Sequence, residues 1–236
     1  MSPIVHCVRH AQGVHNLSHA SHHLPDPDLT PLGEEQAREL AASFSSSRNI
    51  QLILASPLRR TIQTALLAFP GMQVVAWPDL QEASDLICDT GSDLLNIKAE
   101  FEKSPVDLSL VEPGWHIKQG KWAPVAARLL ERAQSARQWL SQRPEKEIVV
   151  VSHGCFLHFL TNDWVNAVNS HATGWTNTEF RSFTFAHEEE KTPALCETIE
   201  SRERRGLGPV SPTEKQQLEL QQTTLETWIK WGVILA

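Results

Sequence analysis

The chain has 236 residues, a length that favours one large α/β domain and allows a core to form without disulfides. Its 21 Lys and Arg against 28 Asp and Glu give a formal charge of -7, which argues against a general nucleic-acid binder and against a protein held on anionic lipid. With 41% hydrophobic and 21% charged residues, the composition is that of a soluble globular protein.

The four cysteines are far apart in the sequence and form no CxxC pair, which favours a reducing compartment over a disulfide framework or a zinc knuckle. The first ten residues already contain charged and imidazole side chains, unlike a secretory signal. No apolar run approaches the roughly 18 residues that a membrane span requires. We therefore expect a cytoplasmic protein that does not enter a membrane.

Short apolar strands alternate with amphipathic helices along much of the chain, a pattern typical of βα units around a mostly parallel sheet. Thr30 is a suitable N-cap for a helix that begins at Pro31. Three valines in the predicted strand 147–151 indicate that this strand is covered on both faces of the sheet. The strands are predicted over 4–8, 51–55, 74–77 and 147–151, and further helices over 58–69, over 123–143 and after His153.

The later part of the chain has a different pattern. Residues 178–187 and 194–201 alternate and are predicted to form an antiparallel edge pair. The run Ser211-Pro212-Thr213-Glu214 is a capping-box start for a final helix with an apolar end. We predict one α/β domain over 1–236, with an inserted cap at about 80–121 and a C-terminal hairpin and helix at about 178–236.

Basic and imidazole side chains follow three of the predicted strands. Arg9-His10 ends the first strand, Arg59-Arg60 opens the helix after the second, and His153 follows the valine-rich strand. Because the carboxyl ends of parallel strands meet at one edge of a sheet, we expect these groups to converge there, beside helix N-termini. Guanidinium forks bind phosphoryl oxygens, and a neutral imidazole nitrogen is a nucleophile. The pattern therefore predicts a phosphate site.

Five segments, in this order, carry a family resemblance: VRHAQGVHN, DPDLTPLGEEQA, SPLRRTIQTA, LQE and VVVSHG. They resemble the ordered motifs of the histidine phosphatase superfamily, in its phosphoglycerate-mutase-like branch. The RHAQGxHN wording and a CDTG stretch after LQE are most similar to fungal and plant phosphoglycerate-mutase-like phosphatases. The resemblance implies a doubly wound, mostly parallel sheet with helices on both faces. It also implies a phosphatase without metal or cofactor that acts on a small phosphorylated substrate.

The resemblance implies a role for each matching residue. His10 is the nucleophile that forms a phosphohistidine, and Arg60 occupies the arginine position of the R-x-x-x-T-A pattern. Arg59 lies about 100° away on the helix and is expected to face solvent or the rim. The residues implied in phosphate binding are Arg9, Asn16, Arg60 and His153, with His15 lining the pocket.

Glu82, in LQE, matches the proton donor of the family, which later activates water. The chemistry needs such a group, because a departing alkoxide takes up a proton. Glu82 follows a strand and the apolar Leu80, but Asp85, three residues on, can share or replace that role. The choice between the two carboxylates stays open at this point.

Two positions depart from the family pattern, because Ala11 replaces the glycine after the nucleophile and Thr61 replaces the alanine after Arg60. Neither change removes a catalytic atom, which favours an enzyme. The cap lacks the Lys/Arg-rich stretch with which cofactor-dependent mutases hold a phosphoglycerate, so a phosphatase, on a monophosphate or a diphosphate, is favoured over a mutase. Four aromatic residues point to a partly apolar substrate, although such residues more often belong to a core: Trp77, Phe101, Trp115 and Trp122.

Other interpretations compete with this one. The histidines over 15–23 could bind a metal, but Ser, Asn and Pro surround them and no carboxylate-rich motif follows. Cys196 and Arg202 match the C-x5-R pattern of cysteine phosphatases, but the segment between them has no glycine and contains two glutamates, which repel phosphate. The third alternative is a non-catalytic interaction module. Its contact surface would be the apolar C-terminal helix. This helix could also join two copies of the chain in a homodimer, but docking on its own domain is favoured.

Overall fold

The fold is described by a computed structural model for residues 2–44, 49–168, 173–186 and 193–236. Its strands are β1 (Ile4–Arg9), β2 (Leu52–Ala55), β3 (Val74–Ala76), β4 (Val106–Asp107), β5 (Glu147–Ser152), β6 (Phe180–Ala186) and β7 (Ala194–Glu197). Its α-helices are α1 (Pro31–Ser43), α2 (Arg59–Ala68), α3 (Leu94–Glu100), α4 (Ala126–Ser141), α5 (Gly154–Thr161), α6 (Ile199–Arg204) and α7 (Glu214–Trp231).

These strands join one sheet in the order β4-β3-β2-β5-β1-β6-β7. The strands from β4 to β1 are parallel to their neighbours, whereas β6 and β7 form an antiparallel edge. In this register Arg9 of β1 lies beside Ser152 of β5, and Ala55 of β2 lies beside Val151. The sheet confirms the predicted mostly parallel α/β fold, and it sets the carboxyl ends of β1, β2 and β5 level with one another.

The alternation of side chains along β5 explains why helices cover both faces of the sheet. Ile148 and Val150 pack into a core that includes residues of α4, α5 and α7, whereas Val149 and Val151 pack with α1 and α2. All four side chains are fully buried, as the central strand of a doubly wound sheet requires. Within the described ranges, no helix is both long and apolar enough to cross a bilayer.

The region predicted as a cap contributes one element to the sheet itself. Val106 and Asp107 form the edge strand β4 beside β3, where the weak periodicity predicted no strand. Two residues are too few to show the alternation on which a strand prediction depends. The same region also contains a 3-10 turn at Ile87–Asp89 and the short helix α3, whose N-cap Asp93 accepts a hydrogen bond from Leu95 N–H at 2.8 Å.

The antiparallel edge pair is confirmed by β6 and β7, while residues 187–192, which include the end of the first predicted strand and most of its connection to the second, lie outside the described residues. The second strand ends at Glu197 and not at residue 201, because helix α6 begins at Ile199. Thr198 caps that helix by accepting a hydrogen bond from Ser201 N–H at 3.2 Å. The last residues of the predicted strand 194–201 are therefore helical.

The capping box of the final helix α7 lies two residues later in the chain than the predicted one, which is Ser211 with Glu214. Its N-cap is Thr213, which forms a capping box with Gln216. The apolar end of the helix docks on its own domain, where Trp228 and Ile234 are each only 2% exposed and Trp228 packs near Trp164. Docking within the chain is thus observed, and a homodimer through the remaining exposed residues of this helix stays a prediction.

We expect Trp228→Ala to lower the free energy of unfolding by about 3–5 kcal/mol, because it leaves a cavity among Trp164 and Phe159. Trp231→Ala is the matched control in the same helix, since that ring is 49% exposed, and it should change stability by less than about 1 kcal/mol. Urea unfolding followed by circular dichroism measures both variants. Equal losses would contradict the docking of α7 through Trp228.

Candidate active site

The candidate site lies at the carboxyl ends of β1, β2 and β5, where the sequence predicted a convergence of basic side chains. His10 follows β1, and its backbone N–H donates to the Ser152 carbonyl at 2.9 Å. At the end of β2, Ser56 N–H donates to the Val151 carbonyl at 3.0 Å, four residues before Arg60. Parallel pairing with β5 thus places the loops after β1 and β2 on either side of the loop after β5.

His10 is held in one orientation by two neighbours. Its Nδ1 lies 2.7 Å from the Ala11 carbonyl oxygen, to which it donates when it carries the proton. Nε2 then accepts a hydrogen bond from Arg60 Nε at 3.3 Å. Burial first, and then the nearby charges of Arg60, His15 and Arg9, keep the pKa of His10 well below its usual value. The ring is therefore neutral, with a lone pair on Nε2 that can act as a nucleophile.

The guanidinium of Arg60 connects the groups of the site. It is fully buried, and its Nη1 donates to the Cys88 carbonyl at 2.7 Å. Its Nη2 lies 2.8 Å from Asp89 Oδ1 and 3.1 Å from His153 Nδ1. Together with the bond from Nε to His10, these contacts use every nitrogen of the group and fix its plane.

His153 is the second imidazole of the site, and its ring centroid lies 5.2 Å from that of His10. Because Nδ1 accepts from Arg60, the proton of the neutral ring is on Nε2. Burial and the charge of Arg60 lower the pKa of His153 well below its usual value, which favours this neutral form. Nε2 is buried and has no hydrogen-bond partner within the protein, so it is an N–H donor available to a ligand.

The loop after His10 is packed closely against two helices. Ala11 N–H donates to Thr64 Oγ1 of α2 at 3.0 Å, and Thr30 N–H donates to the Gln12 carbonyl at 2.9 Å. Thr30 caps α1 as predicted, by accepting from Gly33 N–H at 3.0 Å. A Cβ on Gly33 would lie 2.1 Å from the Gln12 carbonyl oxygen, so glycine is required for this close approach. The loop therefore has little freedom to move.

Glu82 is buried and lies across the N-terminus of α5. Its Oε1 accepts hydrogen bonds from the backbone N–H groups of Ala83 at 2.8 Å and Phe156 at 2.9 Å. Burial and then the charge of Asp89 raise the pKa of the Glu82 carboxyl, against the opposing effect of these N–H groups. A raised pKa suits a group that must give up a proton near neutral pH. Asp85, the alternative carboxylate, is exposed to solvent.

Three side chains fix the backbone of the segment that carries Glu82. Ser152 Oγ donates to the Leu80 carbonyl at 2.8 Å, and Arg132 Nη2 donates to the Gln81 carbonyl at 2.8 Å. From the cap, Lys118 Nζ donates to the carbonyl of Glu82 itself at 3.0 Å. The position of the carboxyl group is thus set by β5, α4 and the cap together.

Arg9, His15 and Asn16 lie at different distances from the centre of the site. Arg9 donates through Nη1 to the Trp175 carbonyl, and its buried Nε has no partner within the protein. His15 is buried, with its ring centroid 5.3 Å from that of His10. Asn16 is exposed, and its Oδ1 accepts from Gly13 N–H at 3.0 Å, so its amide is held within this loop and its role in phosphate binding stays a prediction.

The remaining histidines of this loop belong to one short turn. His19, His22 and His23 lie on a 3-10 turn, and the rings of His19 and His22 are 5.0 Å apart. In the described part of the chain, no group of three or more His, Cys, Asp or Glu side chains is arranged to hold a metal ion.

The aromatic residues of the cap region are mostly part of the core. Trp77, Phe101 and Trp115 are each less than 8% exposed, and only Trp122 is half-buried. Trp77 packs on Trp139 with ring centroids 4.5 Å apart. The burial of three of these side chains agrees with the alternative that they belong to the core, and a partly apolar substrate stays a prediction.

Two residues of the site are not identified by sequence reasoning. Asp89 binds Arg60 through Oδ1 and accepts from Ser84 Oγ through Oδ2 at 2.6 Å. In the sequence, the CDTG stretch that contains it contributes only to the family resemblance. Lys118 is one of the few cations of the cap, and no pattern around it indicates the contact with Glu82.

The arrangement combines a neutral imidazole nucleophile, donors from Arg60, Arg9 and His153, and a carboxyl group with a raised pKa. Such donors stabilise the charge that spreads over phosphoryl oxygens during transfer. The carboxyl group can protonate a leaving oxygen. The geometry is therefore suited to phosphoryl transfer through a histidine.

Comparison with known proteins gives an independent view of the chain. The family model "Histidine phosphatase superfamily (branch 1)" matches residues 5–198. A phosphoglycerate mutase-like protein of Arabidopsis thaliana is 28% identical over 205 residues, which cover 68% of this chain and 74% of that protein. A probable phosphatase of Schizosaccharomyces pombe is 27% identical over 158 residues, which cover 64% and 73%.

Solved structures share the fold. The mycobacterial glucosyl-3-phosphoglycerate phosphatase in complex with VO3 has a TM-score of 0.53 at 20% sequence identity, and the match covers 84% of this chain and 98% of that one. At this level of identity the likeness shows the fold alone.

Arg60→Lys and Arg59→Lys form a matched pair for testing the site. Arg59 is ion-paired with Asp28 and Glu100 at the rim, 3.0 and 2.8 Å away, whereas Arg60 is buried at the centre. Because each charge-assisted bond contributes about 1.5–3 kcal/mol, we expect Arg60→Lys to weaken inorganic phosphate binding roughly 10- to 100-fold. Arg59→Lys should change it less than about twofold. Calorimetric titration measures both, and equal effects would contradict the assignment.

Proposed function

Because the chain belongs to the histidine phosphatase superfamily and is a phosphatase, we propose that it hydrolyses phosphomonoesters, or diphosphates, of small metabolites through a phosphohistidine at His10, without a metal. We place this activity in the cytoplasm. That location is supported by Cys7, Cys88 and Cys155, whose thiols are buried and form no disulfide.

The observation that carries the proposal is the protonation pattern of the two imidazoles. Arg60 donates to Nε2 of His10 and to Nδ1 of His153, so the two rings take opposite tautomers. His10 thereby presents a lone pair, and His153 presents an N–H. A nucleophile beside a donor is the pairing that phosphoryl transfer needs.

In the first step the lone pair of His10 Nε2 attacks phosphorus, and the bond from phosphorus to the leaving oxygen breaks. Glu82 gives its proton to that oxygen, so the alcohol leaves neutral. Arg60, Arg9 and the Nε2–H of His153 stabilise the negative charge on the other phosphoryl oxygens. Once the lone pair of His10 Nε2 is engaged with phosphorus, the Arg60 Nε–H donates to one of those oxygens, without any change in the plane of the guanidinium.

In the second step a water molecule attacks the phosphorus of the phosphohistidine. The carboxylate of Glu82 takes a proton from this water, and the bond from phosphorus to nitrogen breaks. The electron pair returns to His10 Nε2, and inorganic phosphate leaves. Glu82 ends the cycle protonated, ready for the next substrate.

The cations of the cap support hydrolysis over a mutase reaction. The cap places one ammonium, that of Lys118, on the backbone of Glu82, while Lys121 lies over the Trp122 ring at 4.0 Å from its centroid. Few cap cations are thus positioned to hold a second acidic group of a phosphoglycerate. Hydrolysis is therefore favoured over transfer between two positions of such a substrate.

The proposal predicts that p-nitrophenyl phosphate is hydrolysed in excess EDTA and that His10→Ala lowers kcat/KM by at least about 10³-fold, because the nucleophile is lost. His23→Ala, at an exposed histidine of the following loop, is the matched control and should retain activity within about twofold. Acid quench of the wild type should destroy a phosphoenzyme that survives alkali. An acid-stable phosphoenzyme, or equal activity of His10→Ala and wild type, would overturn the proposal.

Glu82→Gln should slow hydrolysis of an alkyl ester such as glycerol phosphate by about 10²- to 10⁴-fold, but affect p-nitrophenyl phosphate less, since that leaving group needs little protonation. Burial and Asp89 raise the pKa of Glu82, so its acid form persists toward neutral pH and is lost as pH rises through that value. Wild-type activity on the alkyl ester should therefore decline as pH rises, relative to Glu82→Gln. Parallel pH profiles for the two proteins would exclude Glu82 as the acid.

A further inference from the structure

We propose that Asn177 is a positioning residue for the nucleophile, which it holds through the backbone carbonyl of His10. This inference rests on the proposed phosphohistidine mechanism. Asn177 belongs to a turn over residues 176–179, which directly precedes β6 and lies outside the five segments that carry the family resemblance.

This turn interrupts the pairing of β6 with β1 at the point where β1 ends. Arg9 N–H donates to the Glu179 carbonyl at 3.0 Å, and in a regular antiparallel pair Glu179 N–H would donate back to the Arg9 carbonyl. Instead, Glu179 N–H closes the turn by donating to the Thr176 carbonyl at 3.1 Å. Thr178 N–H takes its place and donates to the Arg9 carbonyl at 3.1 Å, so the pairing slips by one residue.

The slip requires an unfavourable backbone conformation at Thr178. Its φ is 58°, in the left-handed region, which β-branched residues rarely adopt and in which glycine or asparagine is favoured. Such strain persists only where the surrounding structure imposes it, and it is concentrated at functional sites. A regular continuation of β6 would satisfy the Arg9 carbonyl without this strain. The turn is therefore expected to do something that regular pairing does not.

What the turn adds is a contact with the next carbonyl of the chain, that of His10. Asn177 donates to this oxygen through Nδ2 at 3.0 Å, and Thr178 N–H approaches it at 3.4 Å. The other end of the same peptide unit is held by α2, since Ala11 N–H donates to Thr64 Oγ1 at 3.0 Å. Because a peptide unit is planar, contacts at both of its ends fix its orientation.

The orientation of this peptide unit determines the position of the imidazole ring. His10 N–H donates to the Ser152 carbonyl of β5, so the peptide units before and after His10 are both held. The Ala11 carbonyl, one residue further on, is the acceptor for Nδ1 of the ring. A rotation of the peptide unit between residues 10 and 11 would displace this acceptor together with the ring. Asn177 thus acts on the attacking Nε2 through the backbone, without touching it.

The donors that bind phosphate are held by other contacts. Arg60 is bonded to the Cys88 carbonyl and to Asp89, and His153 is bonded to Arg60. None of these bonds involves the turn. Loss of a residue that positions the nucleophile should therefore slow phosphoryl transfer and leave phosphate binding unchanged, whereas loss of a residue that supports the whole site should impair both.

The test compares Asn177→Ala with wild type in the hydrolysis of p-nitrophenyl phosphate and in its inhibition by inorganic phosphate. Misplacement of a reacting group by about 1 Å lowers a rate about 10²-fold, so kcat should fall about 10- to 100-fold. The inhibition constant of inorganic phosphate should change less than about twofold, because Arg60 and His153 stay in place. An unchanged kcat, or an equal loss of kcat and of phosphate binding, would overturn the inference.

Thr176→Ala is the matched control in the same turn. The Thr176 side chain is exposed, and its hydroxyl donates to Glu179 Oε2 at 3.2 Å. This variant removes a hydrogen bond from the turn without removing one from the nucleophile, so kcat should stay within about twofold of wild type. Equal losses in Thr176→Ala and Asn177→Ala would contradict a specific role of Asn177.

Asn177→Asp covers the case in which Asn177→Ala does not fold. Aspartate has the same size and is equally suited to turns, but its carboxylate has no N–H to donate to the His10 carbonyl. At pH 7 its kcat should fall at least about 10-fold, and a wild-type kcat would overturn the inference. The proposed function fails in a different way, when wild type itself forms no acid-labile phosphoenzyme.

Discussion

A guanidinium group can be fully buried only where acceptors surround it, and this constraint organises the site of the present chain. Arg60 enters from the first turn of α2 and finds its acceptors on a ring nitrogen of His10, a ring nitrogen of His153, a carbonyl and a carboxylate. A buried N–H left without a partner costs about 1–3 kcal/mol. The arrangement that gives each nitrogen of Arg60 a hydrogen-bond acceptor also sets the tautomers of His10 and His153. Stability and chemistry therefore impose the same geometry.

The N-terminus of α5 has a comparable double role. It follows His153 directly, and its backbone N–H groups bind the carboxyl group of Glu82. The imidazole donor and the acid are therefore both held at the start of one helix. From the cap, Lys118 adds a contact with the Glu82 carbonyl.

The parts of the site that are predictable from the sequence are those that follow strands. Buried apolar runs are visible as strands, and parallel strands must end at one edge, so the residue pattern alone predicts that His10, the Arg59-Arg60 pair and His153 lie together. The choice of Arg60 over Arg59 comes from the family resemblance, through the R-x-x-x-T-A pattern. The final helix shows the limit of such patterns, because Ser211 with Glu214 and Thr213 with Gln216 both satisfy the capping-box pattern and only the surrounding packing chooses between them.

Contacts within irregular segments are not predictable in this way. Asp89 lies in a short turn with no periodicity, and its significance comes from a partner 29 residues earlier in the chain. The bond from Gly13 N–H to the amide oxygen of Asn16, inside the loop after His10, is likewise not indicated by any pattern. In both cases the contact depends on which hydrogen-bond partner is closest in space, which a residue pattern does not contain.

The strand order has a consequence for how the site comes into being. β1 and β2, which lead to His10 and Arg60, are not neighbours, because β5 lies between them and is hydrogen-bonded to both. In a nascent chain that ends before residue 147, β1 therefore lacks both of its neighbours, β5 and β6, and β2 lacks one of its two. His10 and Arg60 are brought together only when β5 has been synthesised and inserted between β1 and β2. Closure over so long a stretch of chain is slow, and the unpaired edges are where an incomplete molecule is most exposed to aggregation.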